Sequence, residues 1–445
     1  MRVARGMISP ILAHRRAIRF WCAVVLTGVT TGLATAALTW LLERAQEFAW
    51  HSPRNILDAA EHTAAFMHPA ILFGAAIIAG VGRIVLTTGG TTIDINAAIW
   101  FNSGRLPKLR TLGNAILSII IVGMGTALGR EGAPKQAGAV FADACSDRAG
   151  LDDEERRLLV ACGAGAGMSA AYGVPVGGAL FALEVLRGAL ALRFVLPALT
   201  TSLIATGISW LFMPDMPIYA IPDYPSTASA SVWAILAAPI LGFAAMAFVR
   251  LIAWADRHKP KNAWWKAAAP VLVLTTLGAL SIPFPQLLGN GRDVAHIAFT
   301  GRLDLTLLAM LALLRPASSI LCLACGTPGG LFTPSLATGA LLGGLLGVPW
   351  LLLWPGTPAG VFALVGATAF VAATTQGPLS TIVLMMEMSG WSRGAILPIL
   401  TAVSIATLVS RTAEPRSIYD ARLSDAQIQA RERARDRVAN MAPTG

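Results

Sequence analysis

Residues 129–139 read GREGAPKQAGA, a glycine-rich turn that places Arg130 and Glu131 side by side. The preceding segment, TLGNAILSIIIVGMGTAL (111–128), has no charged residue and is long enough to reach deep into a membrane. Glycines let the backbone approach a ligand closely, and Pro134 suits the first turn of a helix. The stretch therefore predicts a helix broken at membrane depth, followed by a new helix whose first amide groups are free.

Composition places the whole chain in the membrane class. Of its 445 residues, 55% are hydrophobic and 13% are charged, and the mean hydropathy is +0.64. Soluble proteins usually carry about 25% charged residues. The first apolar segment (21–42) is too long for the core of a signal peptide, and no A-x-A cleavage site follows it. We therefore predict an all-α polytopic membrane protein that retains this first span.

The net charge of +10 comes largely from arginines that flank the first and last apolar segments. They are Arg2, Arg5, Arg15, Arg16 and Arg19 before the first, and Arg411, Arg416, Arg422, Arg431, Arg433, Arg435 and Arg437 after the last. Positive flanks remain in the cytoplasm, so both termini are predicted to be cytoplasmic. We expect a basic N-terminus (1–20), a membrane domain (21–420) and a short charged tail (421–445). Because the cations flank spans instead of covering a folded face, a nucleic-acid partner is disfavoured.

The chain also contains an internal repeat. Residues 163–184 align without a gap to residues 366–387, pairing Gly163 with Gly366, Pro175 with Pro378 and Glu184 with Glu387. GREGAPKQAGA has a counterpart in GGLFTPSLATGA (329–340) after one insertion. Two related halves, about 21–215 and 216–420, are typical of transporters and channels that bind ions where broken helices meet. The repeat by itself leaves the relative orientation of the halves open.

Both glycine-rich turns lead into small-residue helices, and helix N-termini attract anions. Glu131, a carboxylate at membrane depth, could gate such a site, or it could pair with Arg130 at a helix end. Lys135 could attract anions or extend to the surface. Tyr419 alone is typical of an aromatic anchor at the membrane interface.

Other charged or reactive residues favour structural interpretations. Glu184 and Glu387 end matching apolar runs, so helix-end charges bonded to neighbouring backbone are the favoured interpretation. The five cysteines are odd in number and scattered along the chain, which argues against a disulfide framework. Cys322 and Cys325 form a CxxC without a second pair or a nearby histidine, so we expect no metal site, and no cofactor is indicated.

These motifs resemble the CLC family of chloride channels and anion/proton antiporters over about residues 20–425. GREGAPKQAGA is similar to the family's GREGP signature, GGLFTPSLATGA to GGIFAPSLAIGA, and SIYDARL (417–423) to its C-terminal tyrosine segment. The resemblance implies a homodimer in a bacterial inner membrane, each subunit with an anion path between two inverted halves of tilted and broken helices. It also implies that Glu131 is the external gate and that the anion-binding site includes other residues of the turn that contains Glu131.

The resemblance further implies a set of anion-binding residues, namely Leu331 and Phe332 through their amides, the Tyr419 hydroxyl, and Gly129, Arg130 and Gly132 in the signature turn. Three positions depart from the family pattern. Gly90 aligns with the family serine whose hydroxyl contacts the anion, and glycine has no hydroxyl. Thr91 or Thr92 could supply one only if the loop shifts. Ala133 takes the place of the signature proline. Val185 falls on the inner proton-transfer position and cannot carry a proton.

We therefore expect transport of chloride or a similar small anion, either as a passive channel or in exchange for protons. The alternative is a secondary transporter of another substrate on an inverted-repeat fold, which would need a roomier polar cavity. An intramembrane enzyme is disfavoured because the sequence has no HExxH and no GxSxG motif.

Overall fold

The computed structural model describes residues 10–52, 55–88, 90, 93–390, 392–423, 426–429 and 431, and for residues 10–14 it describes the backbone alone. Helices account for nearly all regular structure within these ranges. The first half contains α1 Pro10–Trp50, α2 Ile56–Glu61, α3 Met67–Thr87, α4 Ile95–Phe101, α5 Lys108–Gly123, α6 Gly132–Ala149, α7 Asp153–Tyr172, α8 Pro175–Phe181 and α9 Leu192–Trp210. The second contains α10 Ala228–Arg257, α11 Ala263–Leu280, α12 Arg292–Phe299, α13 Leu305–Ala324, α14 Phe332–Leu353, α15 Ala359–Thr375, α16 Pro378–Met388 and α17 Ile396–Ala413.

Eight of the described helices are long and apolar enough to cross a membrane, and several others are shorter. The prediction of an all-α membrane protein with broken helices is therefore confirmed. The two broken segments correspond to each other: α5 ends before the GREGAPKQAGA turn and α6 begins at Gly132, whereas α13 ends before GGLFTPS and α14 begins at Phe332. Pro134 and Pro334 each occupy the third position of their helix, within the first turn.

The packing of the helices repeats in the same way as the sequence. α6 packs on α7 as α14 packs on α15, and α1 packs on α9 as α10 packs on α17. α3 packs on α11 and α8 on α16, so each of these pairs joins one helix from each half. The connection between the halves lies between Trp210, the end of α9, and Ala228, the start of α10.

Glycines allow the closest of these contacts. A Cβ added to Gly138 of α6 would lie 2.0 Å from the carbonyl oxygen of Gly163 on α7. A Cβ added to Gly339 of α14 would lie 2.8 Å from the carbonyl oxygen of Gly366 on α15. Small residues let helix backbones approach closely in membranes, where van der Waals packing drives helix association. The paired glycines found in the sequence repeat are therefore the crossing points of paired helices.

Two features show that the halves are inverted relative to each other. Gly129 and Gly330 form an antiparallel bridge in which each amide donates to the other's carbonyl, at 2.8 and 2.7 Å. The Glu184 carboxylate accepts hydrogen bonds from the backbone amides that begin α16, while the Glu387 carboxylate accepts them from those that begin α8. A reciprocal arrangement of this kind requires the matching helices to run in opposite directions. The inverted-repeat fold is confirmed.

Candidate functional site

Glu131 lies at the meeting point of the two broken segments. It is the residue before the first turn of α6, and its side chain is completely buried. One carboxylate oxygen, Oε1, accepts a hydrogen bond of 2.7 Å from the backbone amide of Phe332, the first residue of α14. An anionic oxygen atom from one half therefore occupies the N-terminus of a 22-residue helix in the other half.

Two hydroxyl groups surround the second carboxylate oxygen of Glu131. Tyr172 Oη donates to Oε2 at 3.1 Å and Thr333 Oγ1 donates to it at 3.0 Å, while the two hydroxyls are 2.6 Å apart. All three side chains are buried. A carboxylate can accept several hydrogen bonds, and in a protein interior these replace the water that burial removes. The carboxylate is thus held by a set of donors that any small anion could use in its place.

Sequence reasoning did not identify Tyr172 or Thr333. Thr333 directly follows two predicted anion-binding positions, and its hydroxyl in the first turn of a helix is a signal that could have been used. Tyr172 is the last residue of α7 and is distant from residues 329–340 in the sequence. Its contribution depends on how α7 packs, which the local pattern does not show.

The predicted ligands Leu331, Phe332 and Gly132 converge on this point. Leu331 precedes α14 and is buried, as is Phe332. Gly132 begins α6 at the bridge between the two turns, where a Cβ would lie 3.0 Å from the amide nitrogen of Gly330. At Gly129 a Cβ would lie 2.2 Å from a carboxylate oxygen of Glu131. Both glycines therefore lie in close contacts, Gly129 with the carboxylate and Gly132 with the opposite turn.

Arg130 lines a cavity of about 380 Å³. Its Nη2 donates to the carbonyl of Ala171 at 3.2 Å, and its guanidinium lies 5.3 Å from the centre of the Tyr172 ring. Arg292 and His296 also line this space, which we name the outer cavity. No ion pair between Arg130 and Glu131 occurs among the described contacts, so the interpretation of these two as a pair at a helix end finds no support.

Tyr419 and Lys135 lie together on the other side of the Glu131 turn. Tyr419 is only 8% exposed, and its hydroxyl has no hydrogen-bond partner within the described part of the chain. The Lys135 ammonium lies 4.4 Å from the centre of the Tyr419 ring and 5.2 Å from that of Phe181. Both side chains are buried, so neither an interfacial anchor for Tyr419 nor a surface position for Lys135 describes them.

A second cavity, of about 540 Å³, opens behind the GTPGG segment and is named here the inner cavity. Pro328 and Gly329 of that segment line it, together with Asp94 and Arg422. Arg83 and Lys259 add two further cations to its wall. Arg83 is fixed by donating to the carbonyls of Cys325 and Pro260 at 3.2 and 2.9 Å. The two cavities thus approach the Glu131 turn from different sides.

The remaining predicted positions lie elsewhere or outside the description. Gly90 is in an exposed turn with φ of +152°, where a Cβ would collide with the Arg110 side chain. None of the described contacts joins Gly90 to Glu131, Phe332 or Tyr419. Thr91 and Thr92 lie outside the described residues.

Val185 is buried in the π-helical turn Ala182–Arg187, and a Cβ added at Gly377 would lie 2.5 Å from its Cγ2. Its neighbour Glu184 is held by the amides of Leu379 and Ser380, at 3.1 and 2.7 Å. The structural interpretation of Glu184 and Glu387 is therefore supported, although the backbone they cap belongs to the other half of the chain. Over the described ranges, no group of three or more His, Cys, Asp or Glu side chains could hold a metal ion.

Comparison with known proteins agrees with this architecture. The family model described as voltage gated chloride channel matches residues 73–411. A voltage-gated ClC-type chloride channel ClcB of Escherichia coli is 32% identical over 331 residues, covering 71% of this chain and 76% of that protein. The ClcB channel of Citrobacter koseri is 27% identical over 415 residues, covering 89% of this chain and 86% of its own length.

Solved structures share the fold. A slow cyanobacterial Cl⁻/H⁺ antiporter superposes with a TM-score of 0.78 at 21% identity, covering 94% of this chain and 98% of that one. A CLC-type fluoride/proton antiporter superposes with a TM-score of 0.71 at 19% identity, covering 93% and 99%. Channels and exchangers thus both occur among the similar proteins. From the match of the family model and the identity to the bacterial channels, this multi-pass membrane chain belongs to the CLC family of voltage-gated chloride channels and related antiporters.

Proposed function

We propose that this chain moves chloride or a similar small anion across a bacterial inner membrane, with Glu131 as the gate of its anion path. The observation that carries the proposal is the hydrogen bond between Glu131 Oε1 and the Phe332 amide. A carboxylate oxygen and a halide ion both require N–H and O–H donors and a positive potential. The two therefore compete for one position, and the path is closed while the carboxylate occupies it.

Opening requires the carboxylate to leave its donors. Protonation of Glu131 removes its negative charge and weakens its attraction to the start of α14, so an anion can replace it. The Phe332 amide, the neighbouring Leu331 amide and the Thr333 hydroxyl then face the ion. The Tyr419 hydroxyl, which has no described partner, supplies a donor on the inner side.

The remaining parts of the proposal concern the path as a whole. The turn formed by Gly129, Arg130 and Gly132 gives the anion access from the outer cavity, and Arg130 attracts it there. We assign part of the anion selectivity to the loop at Gly90 and Thr91, which aligns with the family serine segment. The chain acts as a homodimer in the lipid bilayer with a separate path in each subunit, and both termini are cytoplasmic.

Proton coupling would have to proceed without an acidic side chain at position 185, because Val185 cannot titrate. Glu184 does not substitute for it directly, because its carboxylate is engaged by the amides that begin α16. Passive conduction needs no such group. An exchanger would need another route for protons from the inner cavity to Glu131.

The test is anion flux from liposomes that contain the purified protein. Chloride-loaded vesicles diluted into chloride-free medium should release chloride faster than protein-free vesicles once the charge is balanced by valinomycin and potassium. Absence of protein-dependent flux of chloride, bromide or fluoride would overturn the proposal. Reversal potentials under separate chloride and proton gradients then distinguish the two modes, since a channel follows the chloride gradient alone.

A further inference from the structure

Lys135 is a buried cation that the proposed mechanism does not use. It lies one turn along α6 from Glu131, so the two side chains share a face of that helix. The lysine residue is only 6% exposed. Among the described residues no carboxylate lies within ion-pair distance of its ammonium, whose closest described contacts are the rings of Tyr419 and Phe181.

An ammonium buried at membrane depth without a direct ion pair is costly, because burial removes its water and the nearby carboxylates of Glu131 and Asp94 act on it only from beyond ion-pair distance. Contacts with aromatic faces recover part of that cost and fix the position of the ammonium. They do not neutralise it. Arg315 is also buried without a carboxylate within ion-pair distance among the described residues. Its guanidinium donates hydrogen bonds to the carbonyls of Leu287, Leu288 and Gly289. Lys135 has no comparable set of acceptors among the described residues.

The charged groups around Lys135 belong to the site and to the wall of the inner cavity. Glu131 and Asp94 act on it favourably and Arg422 unfavourably, and Asp94 and Arg422 both line the inner cavity. The Tyr419 hydroxyl beside it is a second donor without a described partner. Both donors interact electrostatically with Glu131, which is bonded to the Phe332 amide, and with Asp94 and Arg422 of the inner-cavity wall. They therefore lie close to the region through which the proposed function requires an anion to pass.

We propose that the Lys135 ammonium is a fixed positive charge of the anion path that binds the transported ion next to Tyr419. The inference rests on the proposed function and adds a specificity-determining residue to it. In this chain a full cationic charge supplements the amide dipoles of the helix N-termini. The charge tightens binding of a monovalent anion at the inner end of the path.

The primary test is chloride binding by calorimetry, and the chloride concentration for half-maximal flux, in wild type, Lys135→Met and Lys135→Arg. Loss of one charge a few ångströms from the ion is expected to weaken binding at least about tenfold in Lys135→Met, whereas Lys135→Arg retains most of the affinity. The maximal flux of Lys135→Met should change much less than its half-saturating concentration. The matched control is Lys261→Met, which removes the same charge from an exposed position.

If Lys135→Met binds chloride with the same affinity as wild type, the inference is overturned. The proposed function would still stand in that case, provided that the wild-type protein transports chloride. If Lys135→Met fails to fold, bromide anomalous diffraction from wild-type crystals provides the decision. A peak within about 4 Å of the Lys135 Nζ atom supports the inference, because direct ion pairs fall within that distance. Bromide density at the Phe332 amide alone, with none at Lys135, would contradict it. Absence of anion flux by wild type would instead refute the proposed function.

Discussion

At the scale of single residues, one carboxylate connects the two halves of the molecule. Glu131 belongs to the turn before α6, yet its hydrogen bonds come from α7 and from the first turn of α14. The donors around it are two hydroxyls and an amide, without a basic side chain within ion-pair distance among the described contacts. In the proposed function, such a site holds the negative charge of Glu131 firmly enough to fill the position and releases the side chain when that charge is neutralised.

We predict that Glu131→Gln changes the pH dependence of anion flux. The amide side chain mimics the protonated acid and cannot ionise, so flux through the variant should respond to pH far less than wild-type flux. The measurement is chloride release from liposomes over a series of pH values. Glu61→Gln is the matched control, because Glu61 is exposed at the end of α2 and lines neither the outer nor the inner cavity. Equal pH responses of wild type and Glu131→Gln would contradict the assignment of the gate.

At the scale of helices, glycine crossings and reciprocal caps hold the inverted halves together. Gly138 against Gly163 and Gly339 against Gly366 bring paired helices into backbone contact in each half. Glu184 and Glu387 join the halves where α8 and α16 meet. The broken helices are therefore held in position by contacts distant from the site itself.

Gly163→Ala should destabilise the protein, because the added Cβ would lie 2.3 Å from the carbonyl oxygen of Gly138. Overpacking of this kind costs about 1–3 kcal/mol in well-packed cores. The expected result is a lower melting temperature in detergent. Gly207→Ala in α9 is the control, since a Cβ there meets nothing within 4 Å. A Gly163→Ala variant as stable as Gly207→Ala would show that the crossing can relax.

A cluster of ion pairs outside the spans makes a pH-dependent contribution to the stability of the protein. The Lys108 ammonium hydrogen-bonded to Asp147, together with the nearby Arg156 guanidinium, holds the pKa of the Asp147 carboxyl below its usual value of 3.8. A depressed folded-state pKa stabilises the protein above the unfolded pKa, and this stability is lost as the pH falls through the folded value.

Asp147→Asn should therefore lower the melting temperature slightly at pH 7, by an amount that shrinks as the pH falls below about 4. The Asp147 side chain is 44% exposed, so solvent screening keeps the effect below about 1 kcal/mol. Thermal unfolding followed at several pH values measures the difference. An offset from wild type that is constant with pH would show that the ion pairs contribute nothing.

At the scale of the whole molecule, we propose that the placement of arginines sets the orientation in the membrane. Arg16 of α1 pairs with Asp152 and Glu155 at the start of α7, while Arg422 after α17 approaches Asp94 and Asp256. These basic and acidic groups lie at or near the ends of described helices. Positive flanks favour the cytoplasmic side.

We predict that reporters fused to either terminus remain in the cytoplasm. Green fluorescent protein at the C-terminus should fluoresce, and alkaline phosphatase at the same position should be inactive. Phosphatase inserted in the connection between α9 and α10 should be active, because α9 ends on the opposite side. Active phosphatase at the C-terminus would refute the cytoplasmic position of that terminus.

The sequence alone determined the membrane class, the two related halves and the two turns that begin α6 and α14, because these depend on composition, on spacing and on residues with restricted backbone geometry. It also indicated Glu131, since a charge in so apolar a stretch is costly without a function. Only the tertiary structure decided which donors hold that carboxylate, that Glu184 and Glu387 cap helices of the opposite half, and that Lys135 and Tyr419 are buried together. These facts depend on packing between segments far apart in the chain, and a local pattern of residues carries no information on which partner a buried polar group will find.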